Sequence, residues 1–227
     1  MLIAAFAAGP LAANCYVAAP GPGAECVVVD PGQDAAAGLA GVLAEHGLTP
    51  AAVLLTHGHF DHVWSAAEVC AAHDIPAYIH PADRALLTDP AKGVDPTLAA
   101  QLAGIVGDAP PAEPGRIAEP GDGAVLRHAG LEVTVAYAPG HTPGSVVYSL
   151  AAGEDHPEVL FTGDLLFAGS IGRTDFPGGD HAEILSSLDR VCLSRPDDTA
   201  VLPGHGPATT IGRERTGNPF LRDTGGR

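Results

Sequence analysis

Apolar residues in this chain gather in short runs that stop at glycine. Ala51-Ala52-Val53-Leu54-Leu55 has strand length and leads into Thr56-His57-Gly58-His59. Leu131-Glu132-Val133-Thr134-Val135-Ala136-Tyr137 leads through Pro139-Gly140 to His141. Glu158-Val159-Leu160-Phe161 leads through Thr162-Gly163 to Asp164, and Thr199-Ala200-Val201-Leu202 through Pro203-Gly204 to His205. Two further strands, roughly 2–7 and 14–19, open the chain around a turn at Gly9-Pro10. Helical spacing appears over 34–46, over 63–70, near 95–106 and near 180–193, the last with Asp180 as an N-cap. Strand-length runs interleaved with helices give an α/β chain. Its chemistry then belongs at the C-terminal ends of strands.

Residues 56–62 read Thr-His-Gly-His-Phe-Asp-His. A helix fans His57, His59, Asp61 and His62 around its axis, and a strand splits them between two faces. A loop entering a helix converges them. Packing is a poor explanation for such a cluster, because crowded imidazoles repel when protonated and gain nothing when neutral unless something binds them. His141, Asp164 and His205 each sit just past a strand and beside glycine, where the backbone turns tightly. Alone, each reads as an ordinary turn residue. Together with the cluster they supply five histidines and two aspartates. A catalytic zinc takes three protein ligands and keeps one position open, so this set suits two ions with one bridging carboxylate. Imidazole and carboxylate without thiolate suit zinc, iron or manganese.

On these residues the chain resembles the metallo-β-lactamase-fold hydrolases. The pattern His57-x-His59-x-Asp61-His62, then His141, Asp164 and His205, spans nearly the whole chain from Val29-Asp30-Pro31-Gly32 onward. Within that superfamily it is similar to the short bacterial relatives of glyoxalase II, the hydroxyacylglutathione hydrolases. Four stretches carry this closer likeness: Phe161-Thr162-Gly163-Asp164, the loop from Gly169 to Asp180, Pro203-Gly204-His205-Gly206-Pro207, and Asn218-Pro219-Phe220-Leu221. The resemblance implies a four-layer αββα sandwich over 1–227 as one domain, with a dinuclear metal site between its two sheets. It implies two divalent ions, with zinc ahead of iron or manganese. His57, His59 and His141 would hold the first, and Asp61, His62 and His205 the second. Asp164 would bridge, which makes Asp61 and Asp164 the carboxylates of the catalytic site. Asp30 would support the ligand loop from behind, a role compatible with simply ending a strand before Pro31-Gly32. The implied reaction is hydrolysis of a 2-hydroxyacyl thioester such as lactoyl-glutathione, or the ester of a related small thiol, by water that the metal pair activates.

Longer glyoxalase II enzymes add a C-terminal helical domain with basic side chains for glutathione. Residues 206–227 are too few for one, and Lys92 is the single lysine, so the thiol is left open. Arg173 has two readings: contact with a substrate carboxylate, or a pair with Asp175 that pins a glycine-rich loop. A partner two residues away favours the second. The proline-rich segment 88–123 is either a plain connection or one wall of the cleft. Other readings of the whole chain are a mononuclear iron persulfide dioxygenase, which shares Gly172-Arg173-Thr174-Asp175-Phe176, a lactonase or other dinuclear ester hydrolase, and a metal-stabilised binding module. A β-lactamase is disfavoured, because many place a cysteine where Asp164 stands.

Charge narrows the partners. Eleven Lys and Arg against 27 Asp and Glu give a net charge of −16, which disfavours nucleic acid and anionic membranes and leaves a small molecule. No basic residue precedes Arg84, so a secretory n-region is missing, and the alanine-rich opening is broken by Gly9-Pro10 and Asn14. Cys15, Cys26, Cys70 and Cys192 show no paired spacing and read as small buried hydrophobes in a reducing cytoplasm.

Overall fold

The computed structural model describes residues 1–100, 112–154 and 156–221. Six strands form the first sheet: β1 (Leu2–Ala8), β2 (Ala13–Ala19), β3 (Glu25–Val29), β4 (Thr49–Leu54), β5 (Ala77–Tyr78) and β6 (Ile117–Ala118), side by side in that order. β1 to β3 pair antiparallel and β3 to β6 pair parallel. The second sheet contains β7 (Val125–His128), β8 (Leu131–Tyr137), β9 (Val146–Leu150), β10 (Val159–Gly163), β13 (Ala200–Pro203) and β14 (Thr209–Thr210). Its order is β14-β13-β10-β9-β8-β7, with β10 and β13 its parallel pair. A small hairpin, β11 (Leu166–Phe167) and β12 (Ser170–Ile171), follows β10.

Period-two alternation explains why both sheets are covered on both faces. Val27 and Val29 point toward the second sheet, while Cys26 and Val28 point the other way. Phe161 likewise faces the intersheet core and Leu160 the outer one. Between the sheets pack Tyr16, Leu54, Val133, Val135, Tyr148 and Phe161. Outside the first sheet lie α1 (Ala35–His46) and α3 (Ala66–His73), which bury Leu39, Leu43, Val69 and Cys70. Outside the second lies α4 (His181–Ser187), continued by π-helical turns Leu188–Leu193, and with it α5 (Ile211–Gly217). Ile184, Leu188, Val191 and Ile211 form that layer's core. The architecture is therefore the expected four-layer αββα sandwich.

Asp180 caps α4 as expected, accepting from the Ala182 and Glu183 N–H groups at 2.8 and 2.9 Å. The helix expected over 63–70 is two pieces, α2 (Phe60–Val63) and α3. Ser65 breaks them apart: its N–H and hydroxyl donate to the carbonyls of Pro31 and Gly32. These bonds tie the ligand loop to the Asp30-Pro31-Gly32 turn. Of the helix expected near 95–106, residues 96–100 are helical and the rest lies outside the described residues. All four cysteines are buried and free. Among the described residues, no helix is long and apolar enough to cross a membrane.

Phe161 joins the two sheets, with its ring centroid 5.5 Å from that of Tyr16. Phe161→Ala should lower the unfolding free energy of the metal-free protein by about 3–5 kcal/mol. Urea denaturation followed by far-UV circular dichroism reads this directly. A loss under ~1 kcal/mol would mean that the intersheet core collapses around the gap.

Candidate metal centre

The seven side chains singled out in the sequence meet in one place. His57 and His59 follow β4, Asp61 and His62 open α2, His141 lies between β8 and β9, Asp164 follows β10, and His205 follows β13. Donor atoms of His57, His59 and His141 all lie within 4.8 Å of one another, and so do those of Asp61, His62 and His205. His59 Nδ1 and His141 Nε2 are 2.9 Å apart. His62 Nε2 and His205 Nε2 are 3.3 Å apart. Asp164 stands between the two groups. Its Oδ2 is 3.7 Å from His141 Nε2 and 3.6 Å from His205 Nε2, and its Oδ1 is 3.4 Å from His62 Nε2.

Each of four histidines has its second nitrogen committed to an acceptor, which aims the first inward. His57 Nδ1 lies 3.0 Å from the Thr56 hydroxyl, and that hydroxyl donates to Asp30 Oδ2 at 2.6 Å. His59 Nε2 meets the Gly93 carbonyl at 3.0 Å. His62 Nδ1 meets Asp30 Oδ2 at 3.0 Å, and His141 Nδ1 meets the Arg173 carbonyl at 2.8 Å. Asp30 also falls within reach of His57 and His62 as a third group. Its Oδ1 already accepts the Thr56 N–H at 2.8 Å, and its Oδ2 accepts the two contacts just described. Both Asp30 oxygens are thus engaged by Thr56 and His62, and Asp30 orients His62 directly and His57 through Thr56. Its left-handed backbone, φ 50°, is the kind of local strain that persists at functional sites.

The donor set fits divalent cations on its own chemistry. His57 Nε2 and Asp164 Oδ1 are buried without a hydrogen-bond partner. Burial, reinforced by neighbouring imidazoles, pushes His57 well below the usual histidine range. Burial and His141 bring His59 down to about 3. Burial brings His141 to about 4, against the opposing effect of the Arg173 carbonyl. These rings are neutral at pH 7 and offer lone pairs. His62 behaves oppositely. Burial alone lowers it, but the carboxylates of Asp61, Asp164 and Asp30 prevail and raise it to about 10. Burial also works to raise Asp61, yet His62 and His205 hold it below the ordinary carboxylate range. A protonated His62 thus stands where the carboxylates demand a cation.

A cleft of about 410 Å³ opens above these groups. Its apolar walls are Leu11, Phe60, Val94, Leu98 and Phe176. Val94 and Leu98, near the start of segment 88–123, line one wall of the cleft. Arg173 also reaches the cleft, but Asp175 engages it in two 2.8 Å hydrogen bonds and its guanidinium lies 3.6 Å over the Phe176 ring. The pinned-loop reading of Arg173 therefore describes its side chain.

Residues 8–205 match the family model of the metallo-beta-lactamase superfamily. An uncharacterized protein of Mycobacterium tuberculosis is 49% identical over 223 residues, covering 97% of this chain and 98% of its own. The hydroxyacylglutathione hydrolase GloC of Haemophilus influenzae is 35% identical over 199 residues, 86% of each chain. Among solved structures, the B3 metallo-beta-lactamase BLEG-1 matches with a TM-score of 0.80 and 37% identity, over 97% of this chain and 100% of that one. TTHA1623, solved in a di-iron-bound form, matches with a TM-score of 0.78 and 38% identity, over 96% and 100%. The chain belongs to the metallo-beta-lactamase superfamily, and its buried His/Asp groups define a metallo-hydrolase with a dinuclear type of site.

Two predictions follow from this electrostatic arrangement. If His62 takes a divalent ion, binding at pH 7 should expel at least one proton, because the surrounding carboxylates hold the metal-free imidazole in its protonated form. Calorimetric titration in two buffers of different ionisation enthalpy measures it; equal apparent enthalpies would contradict the protonated His62. Asp61→Ala should leave about one ion per chain, measured by elemental analysis, with an unchanged circular dichroism spectrum. Two retained ions would remove Asp61 from the ligand set.

Proposed function

We propose that this chain hydrolyses acyl thioesters, with His57, His59 and His141 holding one divalent ion, Asp61, His62 and His205 a second, and Asp164 shared. The observation that carries this reading is the shared position of Asp164 on the floor of a cleft whose described lining residues include no serine, cysteine or threonine. Water is the nucleophile in this reading. Divalent ions at such a site supply Lewis acidity toward a carbonyl and activate water at neutral pH. Zinc or iron suits these donors, and iron occupies the related TTHA1623. The hydroxyacylglutathione hydrolase GloC supplies the thioester chemistry by likeness.

The chain's own residues set the geometry. Thr56, Gly93, Asp30 and the Arg173 carbonyl engage the outer ring nitrogens of His57, His59, His62 and His141, so these rings are oriented toward the centre before substrate arrives. Leu11, Phe60, Val94, Leu98 and Phe176 exclude water from one side of the acyl group. Hydrolysis forms one C–O bond and breaks one C–S bond, and a proton from water ends on the departing sulfur.

Glutathione is a poor fit to this cleft. Among its described lining residues Arg173 is the one cation, and Asp175 neutralises it. Lys92, beside Gly93, pairs with Asp89 at 3.3 Å. Remote charges on the thiol therefore find no partner to contribute binding energy.

BLEG-1 favours a second reading, hydrolysis of a β-lactam amide at the same site. One assay series separates them, using metal-loaded protein with lactoyl-glutathione, lactoyl esters of small uncharged thiols, and a chromogenic cephalosporin. Lactoyl-glutathione should be hydrolysed with a KM at least about tenfold above that of the uncharged thioester. Arg173→Ala should change neither KM more than about threefold. Chelation should abolish both activities. Faster turnover of the cephalosporin would install the lactamase reading. One iron per chain with oxygen consumption on glutathione persulfide would install the dioxygenase.

A further inference from the structure

Asp83 is fully buried, lies outside the seven side chains of the centre, and takes its hydrogen bonds from two backbone N–H groups and one hydroxyl. It follows β5 in His80-Pro81-Ala82-Asp83. Its Oδ2 accepts the Gly58 N–H at 2.8 Å and the Thr142 hydroxyl at 2.6 Å, and its Oδ1 accepts the Gly144 N–H at 2.7 Å. Gly58 lies between His57 and His59. Thr142 and Gly144 directly follow His141. One carboxylate thus binds the backbone of both loops that carry the first group of histidines, one loop from each sheet.

The glycines confirm how tight this junction is. A Cβ on Gly58 would stand 2.8 Å from the Asp83 carbonyl oxygen, and one on Gly144 would stand 2.5 Å from Asp83 Cγ. Both loops can approach Asp83 only as bare backbone. Ser145 extends the junction: its hydroxyl lies 2.7 Å from that of Thr142 and accepts the Thr142 N–H. The second group has different support. Asp30 holds His62, and Asp61 and His205 lie 3.2 Å apart.

We propose that Asp83 is a positioning residue for the first metal group: it sets the spacing between the 57–59 loop and His141 and so governs the affinity of that group alone. This rests on the reading that His57, His59 and His141 share one ion. Asparagine in place of Asp83 keeps the volume but replaces one acceptor oxygen with an NH2, which must face an N–H or O–H donor. The resulting repulsion displaces a ligand loop. Loss of a partner that orients a ligand typically costs 10–100-fold in metal affinity.

The test titrates metal-free wild type, Asp83→Asn and Thr142→Val with Zn2+ against a chromophoric chelator, and fits two affinities per chain. In Asp83→Asn one Kd should rise about 10–100-fold while the other stays within about threefold. Thr142→Val removes one of the three hydrogen bonds and should raise the same Kd by less. Adding it to Asp83→Asn should change that Kd little further, since both act on one junction. Far-UV circular dichroism and melting of the metal-free proteins accompany each titration. Two unchanged affinities in Asp83→Asn would overturn the proposal. So would two affinities falling together with the melting temperature, which is what a generally structural residue gives. If Asp83→Asn fails to fold, an unchanged first Kd in Thr142→Val overturns the proposal, and a selective rise supports it. A wild-type protein that binds one ion or none fails the dinuclear reading instead, and is recognised before any variant is measured.

Discussion

The molecule is organised around one electrostatic constraint: lone pairs and carboxylates aimed at the same buried space. A neutral imidazole facing another imidazole at 2.9 Å gains nothing from the contact unless a proton or a cation lies between them. His57 Nε2 and Asp164 Oδ1 have no hydrogen-bond partner among the described residues. Unsatisfied buried polar groups cost about 1–3 kcal/mol each, so the fold holds this arrangement against its own stability. Cations at the centre reverse the sign of that cost, which makes metal binding and folding free energy parts of one quantity. The protonated His62 shows the same demand from the other direction.

The rest of the structure brings these side chains together. Each ligand segment leaves the end of a strand, and the strands are fixed by apolar side chains packed on both faces of both sheets. Convergence is thus set by sheet geometry rather than by attraction among the ligands. Local carboxylates then fix the loops. Asp30 ties the strand end of β3 to Thr56 and His62, and Asp83 ties the connection after β5 to Gly58 and Thr142. A comparable device holds the rear of the site. Glu214 accepts from the Gly169 N–H, the Thr209 hydroxyl and Asn218, and Asn218 donates in turn to Ser170.

The convergence of these seven side chains was legible in the sequence because four of them crowd into 57–62, and because the other three share one local grammar of strand, glycine and His or Asp. Apolar runs made β1, β2, β4, β8, β10 and β13 legible for a similar reason, while β7 and β9 went unread. What escaped were features whose cause is distant in the chain. The break between α2 and α3 comes from bonds that Ser65 makes to Pro31 and Gly32, and nothing local announces it. β5, β6 and β14 are two residues each, too short to show a period. Asp83 sits in an ordinary-looking Pro81-Ala82-Asp83-Arg84, and its partners are 25 and 59 residues away. The visible trace of its role was indirect: the bare glycines Gly58 and Gly144 beside the histidines.

Arg173 pairs through its side chain with Asp175, the partner two residues away that the sequence pointed to, and reaches the centre through its backbone instead. Its charge invites a substrate contact, but the guanidinium turns to Asp175 and stacks on Phe176. Its link to the centre is the main-chain carbonyl, which accepts from His141 Nδ1. Phe176 in turn meets the edge of His59, with ring centroids 5.9 Å apart. The segment from Gly172 to Phe176 therefore braces two histidines of one metal group without contributing a ligand. The ion pair and the stacked ring stiffen that brace at the cleft mouth, where an exposed pair contributes little stability of its own. On this geometry, the cost of losing the Arg173 side chain depends on how far Phe176 and the 172–176 backbone hold their places without it. A carbonyl that stays put keeps the His141 tautomer, and with it the first metal group, whatever happens to the charge.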